Sequence, residues 1–558
     1  MRWLLMAASL MWLAACADGS DGRGTRELVS GGVSDGWRQP LFEGLGDLHF
    51  PVTTSSSTAQ RYFDQGLSLA FAFNHAAADF AFNEAAAHDP GCAMCYWGSA
   101  LVLGPNVNAP MDPANAARAH LLASKAHRLA AGGTDKERAL TAALLERYQR
   151  EAPQDRSGLD AAYADAMRAV AARFPRDEDI QALTAEALMD VHPWDFWVVD
   201  GEARPWTPEI LEHIERALTV DADHVGAIHL YIHAVEQSSD AARAEPYADK
   251  LADLAPSAGH LVHMPAHIYI RVGRYHDATL NNMKAADADA SFIQACRSNS
   301  PVYLAGYIPH NWHFGWITAA IEGWSEQALT LAEGTADLIT PELLRAPGMA
   351  VAQHYLMQPA FAQVRFGAWD DILDQPEPDD DLLYARAIWH YARGRAHLGK
   401  GDLENAAAEA ARLAELRRNP AMNELVFFER GHAGDLVTIA ALTLNGELDA
   451  ARGDPAAAQE KLRRAVALED ELPYTEPPDW YYPARHSLGA IQLAAGDAAA
   501  AERTYREDLA IMKNNGWALV GLEQALRAQN RGDEADEVHH RFQRAWQHAD
   551  IDIRASRI

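Results

Sequence analysis

The chain has 558 residues, several times the typical domain length of about 150, so it contains either several domains or one repetitive array. Its 78 acidic residues outnumber 48 basic ones, and the formal net charge of -30 repels phosphate backbones and anionic lipid headgroups. This charge argues against a nucleic-acid partner. Alanine is frequent while runs of Val, Ile and Thr are scarce, which favours packed helices over sheet.

The first residues have the order of a secretory signal. Arg2 precedes an apolar stretch over residues 3–13, which is too short to span a bilayer stably. The ending Leu13-Ala14-Ala15-Cys16 resembles the bacterial lipobox. That resemblance implies that the cysteine is acylated, as by palmitate, and becomes the first residue of the mature protein.

We therefore expect a lipoprotein signal peptide over residues 1–15, a lipidated Cys16 and a flexible tether within residues 16–45. The protein would lie in the bacterial cell envelope as a membrane-anchored chain that faces the periplasm or the exterior. Ala17, rather than Asp, after the anchor favours the outer membrane. The alternative is an ordinary cleaved signal with an incidental cysteine.

Three further cysteines are Cys92, Cys95 and Cys296. In an oxidising compartment the Cys92/Cys95 pair could form a local disulfide, bind a metal or do redox chemistry. No strand-then-helix context of a thioredoxin-like fold precedes it, which disfavours the redox interpretation.

A repeat with a period near 34 residues runs through the chain. A Gly that would close a helical hairpin is followed five residues later by an Ala, where two antiparallel helices can approach closely. The instances are Gly273/Ala278, Gly323/Ala328, Gly401/Ala406, Gly453/Ala458 and Gly496/Ala501. Similar spacing appears at Ala78-x3-Phe82.

These motifs resemble those of the tetratricopeptide repeat (TPR) family. The resemblance implies an all-α superhelical solenoid of about ten to twelve helical hairpins, beginning near Ser57. We expect divergent repeats with inserts over residues 46–222, histidine-rich repeats over 223–340 and C-terminal repeats over 341–558. One insert, the aromatic segment His192–Trp197, is either a lid over a groove or core filler.

Histidines are concentrated in the central repeats. Of 24 in the chain, eight fall between His229 and His313. His229 and His233 lie four residues apart on a predicted helix, and His263 and His267 repeat that pair one 34-residue period later.

Further histidines follow the same phase. His260 and His263 precede Gly273 by the intervals at which His310 and His313 precede Gly323. In the TPR family the first helix of each hairpin lines the concave groove, so the resemblance implies that seven histidines face it. These are His229, His233, His260, His263, His267, His310 and His313.

Imidazoles at i and i+4 suit a shared transition-metal ion, and helices about 10 Å apart let neighbouring repeats contribute ligands. Zn, Cu and Fe accept imidazole, and Glu236 adds a carboxylate on the same face. We predict a transition-metal site in the groove. The alternative is a metal-free polar groove that binds a partner. His276, on a second helix, is predicted to lie outside the cluster.

A metal with open coordination positions could activate water or oxygen, with Glu236 as the candidate for moving the proton. The sequence does not contain the zinc-protease HExxH, because no Glu directly follows His229. A second candidate pocket combines aromatic, acidic and basic residues, and the alternative is that these residues pack a loop against the array. Its members are Glu476, Trp480, Arg485 and His486.

The segments Asp89–Gly98, His263–Tyr269 and Glu476–Gly489 resemble those of bacterial secreted TPR proteins with no settled reaction. The resemblance implies an architecture and no activity. The leading hypothesis is an extracytoplasmic lipoprotein whose groove binds a transition metal or a metal-dependent ligand. The alternatives are a metal-free scaffold for a partner protein and a metalloenzyme, either hydrolase or oxidoreductase.

Overall fold

A computed structural model describes residues 38–198, 201–296, 303–427 and 430–558. The predicted signal peptide, Cys16 and most of the predicted tether lie outside these residues. Within the described part, helices account for nearly all regular structure. A short antiparallel pair of strands aligns Val426 with His432 and Phe427 with Gly431.

The helices of the N-terminal part are α1 Ser57–Phe71, α2 His75–His88, α3 Ala93–Leu101, α4 Ala116–Leu129, α5 Asp135–Leu145, α6 Ser157–Arg173, α7 Glu178–Met189 and α8 Thr207–Val220. The central helices are α9 Val225–Val235, α10 Glu245–Leu254, α11 Gly259–His263, α12 Pro265–Val272, α13 Tyr275–Cys296, α14 Ile308–Glu322 and α15 Ser325–Asp337.

The C-terminal part contains α16 Val351–Leu356, α17 Gln358–Phe366, α18 Trp369–Asp374, α19 Leu383–Gly399, α20 Leu403–Arg417, β1 Val426–Phe427, β2 Gly431–His432, α21 Ala433–Ala451, α22 Pro455–Asp470, α23 Ala484–Ala494, α24 Ala498–Ile511, α25 Gly516–Ala528 and α26 Gly532–Ala545. Short 3-10 turns occur at Pro113–Asn115, Ala130–Gly132, Ala241–Ala244, Leu343–Arg345 and Pro420–Glu424, and a π-helical turn at Tyr303–Tyr307.

The predicted hairpin motif is confirmed. All five predicted glycines adopt the left-handed conformation, with φ between +78° and +86°, and the Ala five residues later is fully buried in each case. Gly367 turns a further hairpin in the same way at φ +71°, but Ile372 replaces the alanine. The chain is therefore an all-α superhelical solenoid of TPR-like hairpins, as predicted.

The Ala-x3-aromatic motif packs an aromatic ring between glycines of neighbouring helices. Phe82 of α2 lies between Gly66 of α1 and Gly98 of α3, where an added Cβ would come within 2.7 Å and 2.4 Å of its ring. Tyr505 of α24 occupies the same kind of position near the C-terminus. Because glycine has no side chain, it leaves room for a large aromatic side chain from the neighbouring helix.

Residues from the N-terminal and C-terminal parts of the superhelix both contact its central repeats. The Phe71 carbonyl at the end of α1 accepts a hydrogen bond from His229, 158 residues later, at 2.6 Å. From the other end, the Lys513 carbonyl accepts one from the Tyr275 hydroxyl at 2.7 Å. These contacts enclose the central helices. The histidines that were predicted to line the concave groove therefore lie in a buried interior.

None of the helices in the described part of the chain is long and apolar enough to cross a membrane. Cys92 and Cys95 are joined by a disulfide that closes the N-terminal turn of α3. Cys296 is the last residue of α13.

Candidate metal centre

The central helices bring six histidines and one glutamate together in a cluster that we call the histidine centre. Helices α9, α11, α12 and α14 supply the histidines, and Glu236 directly follows α9. His310 is half-buried, whereas each of the other members is at most 3% exposed. The members are His229, His233, Glu236, His260, His263, His267 and His310.

Three of these histidines, His263, His267 and His310, form triad A. Nε2 of His263 lies 2.8 Å from Nε2 of His267 and 3.1 Å from Nε2 of His310. Pro265 begins α12 and separates it from α11, yet the rings of His263 and His267 are in contact across this break. One nitrogen from each ring therefore points to a common position.

The hydrogen-bond partners of triad A fix where two of its protons lie. Nδ2 of Asn282 donates to the Ala278 carbonyl at 2.8 Å, so Oδ1 of Asn282 faces His263 and accepts a hydrogen bond from Nδ1–H at 2.6 Å. Nδ1–H of His267 donates to the carboxylate of Glu236. In the singly protonated form of each ring that fits these partners, the proton is on Nδ1 and Nε2 carries a lone pair.

Two acceptor nitrogens therefore face each other across 2.8 Å. Their lone pairs repel unless a cation lies between them. A tetrahedral Zn²⁺ with ligand nitrogens at about 2.0–2.1 Å would hold them roughly 3.3 Å apart, which a ring shift of about half an ångström achieves. The pair of imidazoles is already close to the geometry of metal ligands.

Three other histidines, His229, His233 and His260, form triad B. Nε2 of His229 lies 3.1 Å from Nε2 of His260. The ring of His233 is 4.8 Å from that of His229 between centroids. One nitrogen from each of the three rings lies within 4.8 Å of the others.

Glu236 connects the two triads. Its Oε1 accepts a hydrogen bond from Nδ1–H of His233 in triad B at 3.0 Å, and its Oε2 accepts one from Nδ1–H of His267 in triad A. Both orientations leave Nε2 free for a metal. Glu236 thus occupies the position of a carboxylate that orients histidine ligands from behind.

A second carboxyl group, Glu476, reaches the centre from the loop between α22 and α23. Its Oε2 is buried without a hydrogen-bond partner, 3.8 Å from Nδ1 of His267. Its Oε1 accepts a hydrogen bond from the Tyr474 hydroxyl and lies 3.9 Å from Nε of Arg271. With Glu236 and His267 it forms another group of metal-ligating atoms.

Burial and neighbouring charges shift the pKa values of Glu236 and Glu476 in opposite directions. Desolvation would raise the pKa of Glu236, but His267 and His233 outweigh it and lower the pKa to about 2. Burial, reinforced by the charge of Glu236, raises the pKa of Glu476 well above its usual value. The first group is an anion at neutral pH, and the second holds a proton.

Burial favours the neutral form of four imidazoles of the centre. Burial lowers the pKa of His229, His260, His263 and His310 well below 6.5, and neighbouring imidazoles add to the shift. Neutral imidazole is the form that binds metals.

Aromatic side chains cover the centre. Phe73, just after α1, lies 4.4 Å from His229 and stacks on His233 at 5.9 Å between centroids. Trp194, from the insert predicted to be either a lid or core filler, makes a T-shaped contact with His233 at 5.1 Å between centroids. This cover excludes water and strengthens electrostatic interactions inside the centre.

His313, predicted to join the cluster, is placed apart from both triads. Its ring lies 5.4 Å from that of His354, whose Nδ1 hydrogen-bonds the Tyr384 hydroxyl at 2.8 Å. A three-residue step from His310 rotates a helical side chain by about 60° and moves it about 4.5 Å along the axis. This displacement separates the two histidines of α14.

His276 lies outside the centre, as its position on a second helix predicted. It stacks on His548 at 3.6 Å between centroids, and its Nδ1 hydrogen-bonds Glu322 at 3.0 Å. His276 and His548 form a close histidine pair away from both triads, and Glu322 is a buried carboxyl group beside them. Substitutions of these residues therefore serve as matched controls for substitutions in the histidine centre.

The four residues of the second candidate pocket do not line one cavity. Glu476 joins the histidine centre, whereas Trp480 packs on Phe361 and Tyr391. Both terminal nitrogens of Arg485 donate to Asp470 at 2.7 Å. His486 lies 3.3 Å from a carboxylate oxygen of Asp508.

The sequence analysis did not predict several contacts of the histidine centre. Asn282 lies on the second helix of its hairpin, 19 residues from His263, where it could have been found by considering polar residues opposite the histidines. The Phe71 carbonyl and Glu476 come from distant parts of the chain. Only the closure of the superhelix brings them to the centre.

No protein-family model matches this chain, and no curated protein matches it. Among solved structures, the APC/C hetero-tetramer Cut9–Hcn1 is 15% identical, with 84% of this chain and 76% of that chain covered and a TM-score of 0.28.

Human IFIT1 in its dimer with PPP-AAAA is 11% identical over 88% of this chain and 91% of its own, at a TM-score of 0.31. Yeast Tom70 is 13% identical over 87% and 96%, at a TM-score of 0.26. The helical-repeat architecture of this chain rests on its own hairpins, such as Gly273/Ala278.

Proposed function

We propose that this chain is a transition-metal-binding protein whose solenoid encloses an ion held by Nε2 of His263, His267 and His310. The observation that carries the proposal is the His263–His267 pair. Both Nδ1 atoms are committed as donors, so the two Nε2 atoms, 2.8 Å apart in a buried site, need a cation between them. A metal ion would supply that cation.

The ligand set favours a particular class of ion. Three neutral imidazoles suit Zn, Cu or Fe, whereas Mg and Ca prefer oxygen ligands. Three protein ligands leave a coordination position open for water or a small molecule, as in catalytic rather than structural zinc sites. His310 is half-buried and so provides the side of triad A nearest the surface.

A metal-free scaffold that uses these histidines to bind a peptide fits the site less well. His263 is fully buried and His267 is 3% exposed, so neither ring can contact a peptide in a groove. A buried polar atom without a partner is costly, which makes an enclosed ligand the better explanation for the cluster.

The test measures metal in the full-length chain purified without a histidine tag, stripped with a chelator and reloaded with Zn²⁺. We expect retained zinc after gel filtration, which the His263→Gln/His267→Gln variant loses from triad A. The His276→Gln/His548→Gln variant, which alters another close pair, should match the wild type. Zinc retention unchanged by the first substitution, or no retention by the wild type, would refute the proposal.

We also propose that the protein is anchored outside the cytoplasm by acylated Cys16. The support is the lipobox-like order of residues 13–16 after a short apolar segment. In cells that process lipoproteins, the wild type should incorporate labelled palmitate and sediment with membranes, whereas Cys16→Ala should do neither. Equal sedimentation and labelling of both would exclude the anchor.

A further inference from the structure

Triad B resembles triad A in burial and in the way its rings are held. His229 is fully buried, and His233 and His260 are each 2% exposed. Like the members of triad A, they come from neighbouring helices, α9 and α11, and bring ring nitrogens within 4.8 Å of one another.

The protons of triad B can be placed from its partners. A carbonyl oxygen only accepts, so Nδ1 of His229 donates to Phe71 at 2.6 Å and its Nε2 carries the lone pair. Nδ1–H of His233 donates to the carboxylate of Glu236, so Nε2 of His233 also carries a lone pair.

Two nitrogens of this triad are left without hydrogen-bond partners. Nε2 of His233 and Nδ1 of His260 are both fully buried and unpartnered. Unpartnered buried polar atoms are rare and costly, because they lose their hydrogen bonds to water without replacement. A cation bound at Nε2 of His233 would remove one of these costs.

The two triads are adjacent. The rings of His260 and His263 stack at 5.8 Å between centroids, and those of His233 and His267 lie 5.7 Å apart. Glu236 receives one hydrogen bond from each triad. Ions at both positions would therefore be neighbours, with an anionic carboxylate beside them to offset part of their repulsion.

We propose that His229, His233 and His260 bind a second transition-metal ion, which makes the histidine centre dinuclear. The inference rests on the proposed function, because it requires that triad A also binds an ion. The class of ion is the same, since triad B likewise offers three imidazoles and no carboxylate ligand.

The first experiment counts ions. Tag-free full-length protein is stripped, loaded with Zn²⁺, separated from excess metal and analysed by elemental mass spectrometry. We expect two zinc ions per wild-type chain, one in His229→Gln/His233→Gln and one in His263→Gln/His267→Gln. The His276→Gln/His548→Gln control should retain two.

The outcomes separate this inference from the proposed function. One ion in the wild type, lost with triad A but retained when triad B is changed, would overturn the second site and leave the proposed function intact. No bound ion in the wild type would overturn both.

A second measurement avoids dependence on variants that fail to fold. Wild-type protein loaded with Cu²⁺ is examined by electron paramagnetic resonance. Two Cu²⁺ ions in adjacent triads should give a spin-coupled spectrum with loss of the isolated-ion signal. Signals of isolated Cu²⁺ only, at any loading, would contradict a dinuclear centre.

Discussion

Replacing Glu236 by Gln should weaken metal binding without changing the shape of the side chain. The carboxylate accepts hydrogen bonds from His233 and His267 and is fully buried, so water cannot replace a lost acceptor. The Gln amide can accept only one of them with its oxygen, and its NH₂ group faces the other Nδ1–H. That histidine must rotate or move its proton to Nε2, which removes the metal-binding lone pair.

The expected loss of zinc affinity follows from the hydrogen bonds by which Glu236 orients His233 and His267. Loss of a group that orients a metal-bound histidine weakens affinity about 10- to 100-fold, or roughly 1.4–2.8 kcal/mol. With free Zn²⁺ at about 100 times the wild-type Kd, bound zinc stabilises the wild type by about 2.7 kcal/mol. A hundredfold weaker variant gains only about 0.4 kcal/mol.

The assay is a competition titration of Zn²⁺ against a chromophoric chelator, repeated as urea unfolding with and without zinc. Glu322→Gln is the matched control, because Glu322 is also buried and hydrogen-bonds Nδ1 of His276 at 3.0 Å, but lies outside the centre. It should leave zinc affinity unchanged. Equal zinc affinities for Glu236→Gln and Glu322→Gln would refute the role assigned to Glu236.

Two further predictions concern stability. Burial lowers the pKa of His354 to about 3, so between pH 6.5 and 3 the unfolded chain binds more protons there than the folded one. When the pH is lowered from 7 to 5, the free energy of unfolding of the wild type should therefore fall by about 2 kcal/mol more than that of His354→Gln. Urea denaturation at the two pH values measures this difference. Equal losses in the two proteins would contradict the prediction. Gly98→Ala should destabilise the protein by about 1–3 kcal/mol, because its Cβ would lie 2.4 Å from Phe82. Gly158→Ala, with no atom within 4 Å of the added Cβ, should be neutral or stabilising by up to about 1 kcal/mol. The reverse order in thermal melts would count against the packing account.

The repeat could be predicted because it depends on local spacing. A left-handed Gly closes each hairpin, and a buried Ala five residues later lets the two helices approach, so a motif such as Gly273/Ala278 fixes both the turn and the contact. The histidines could be found for the same reason. His229 and His267 occupy phases of the repeat that place them on helices facing each other.

The surroundings of the histidines could not be predicted, because they depend on how far the superhelix curls. Each hairpin adds a small rotation, and the sum decides whether distant repeats touch. Phe71 meets His229 across 158 residues, and Glu476 approaches His267 across more than 200. No periodic pattern encodes these pairs, so the enclosure of the histidines could not be predicted from the sequence.

The paired acceptor nitrogens of triad A are the central feature, and anomalous diffraction from crystals of zinc-loaded, tag-free protein tests them most directly. We predict an anomalous peak about 2.0–2.1 Å from Nε2 of both His263 and His267, with the two nitrogens moved from 2.8 Å to roughly 3.3 Å apart. Zinc peaks confined to the molecular surface, with these nitrogens still 2.8 Å apart, would contradict it.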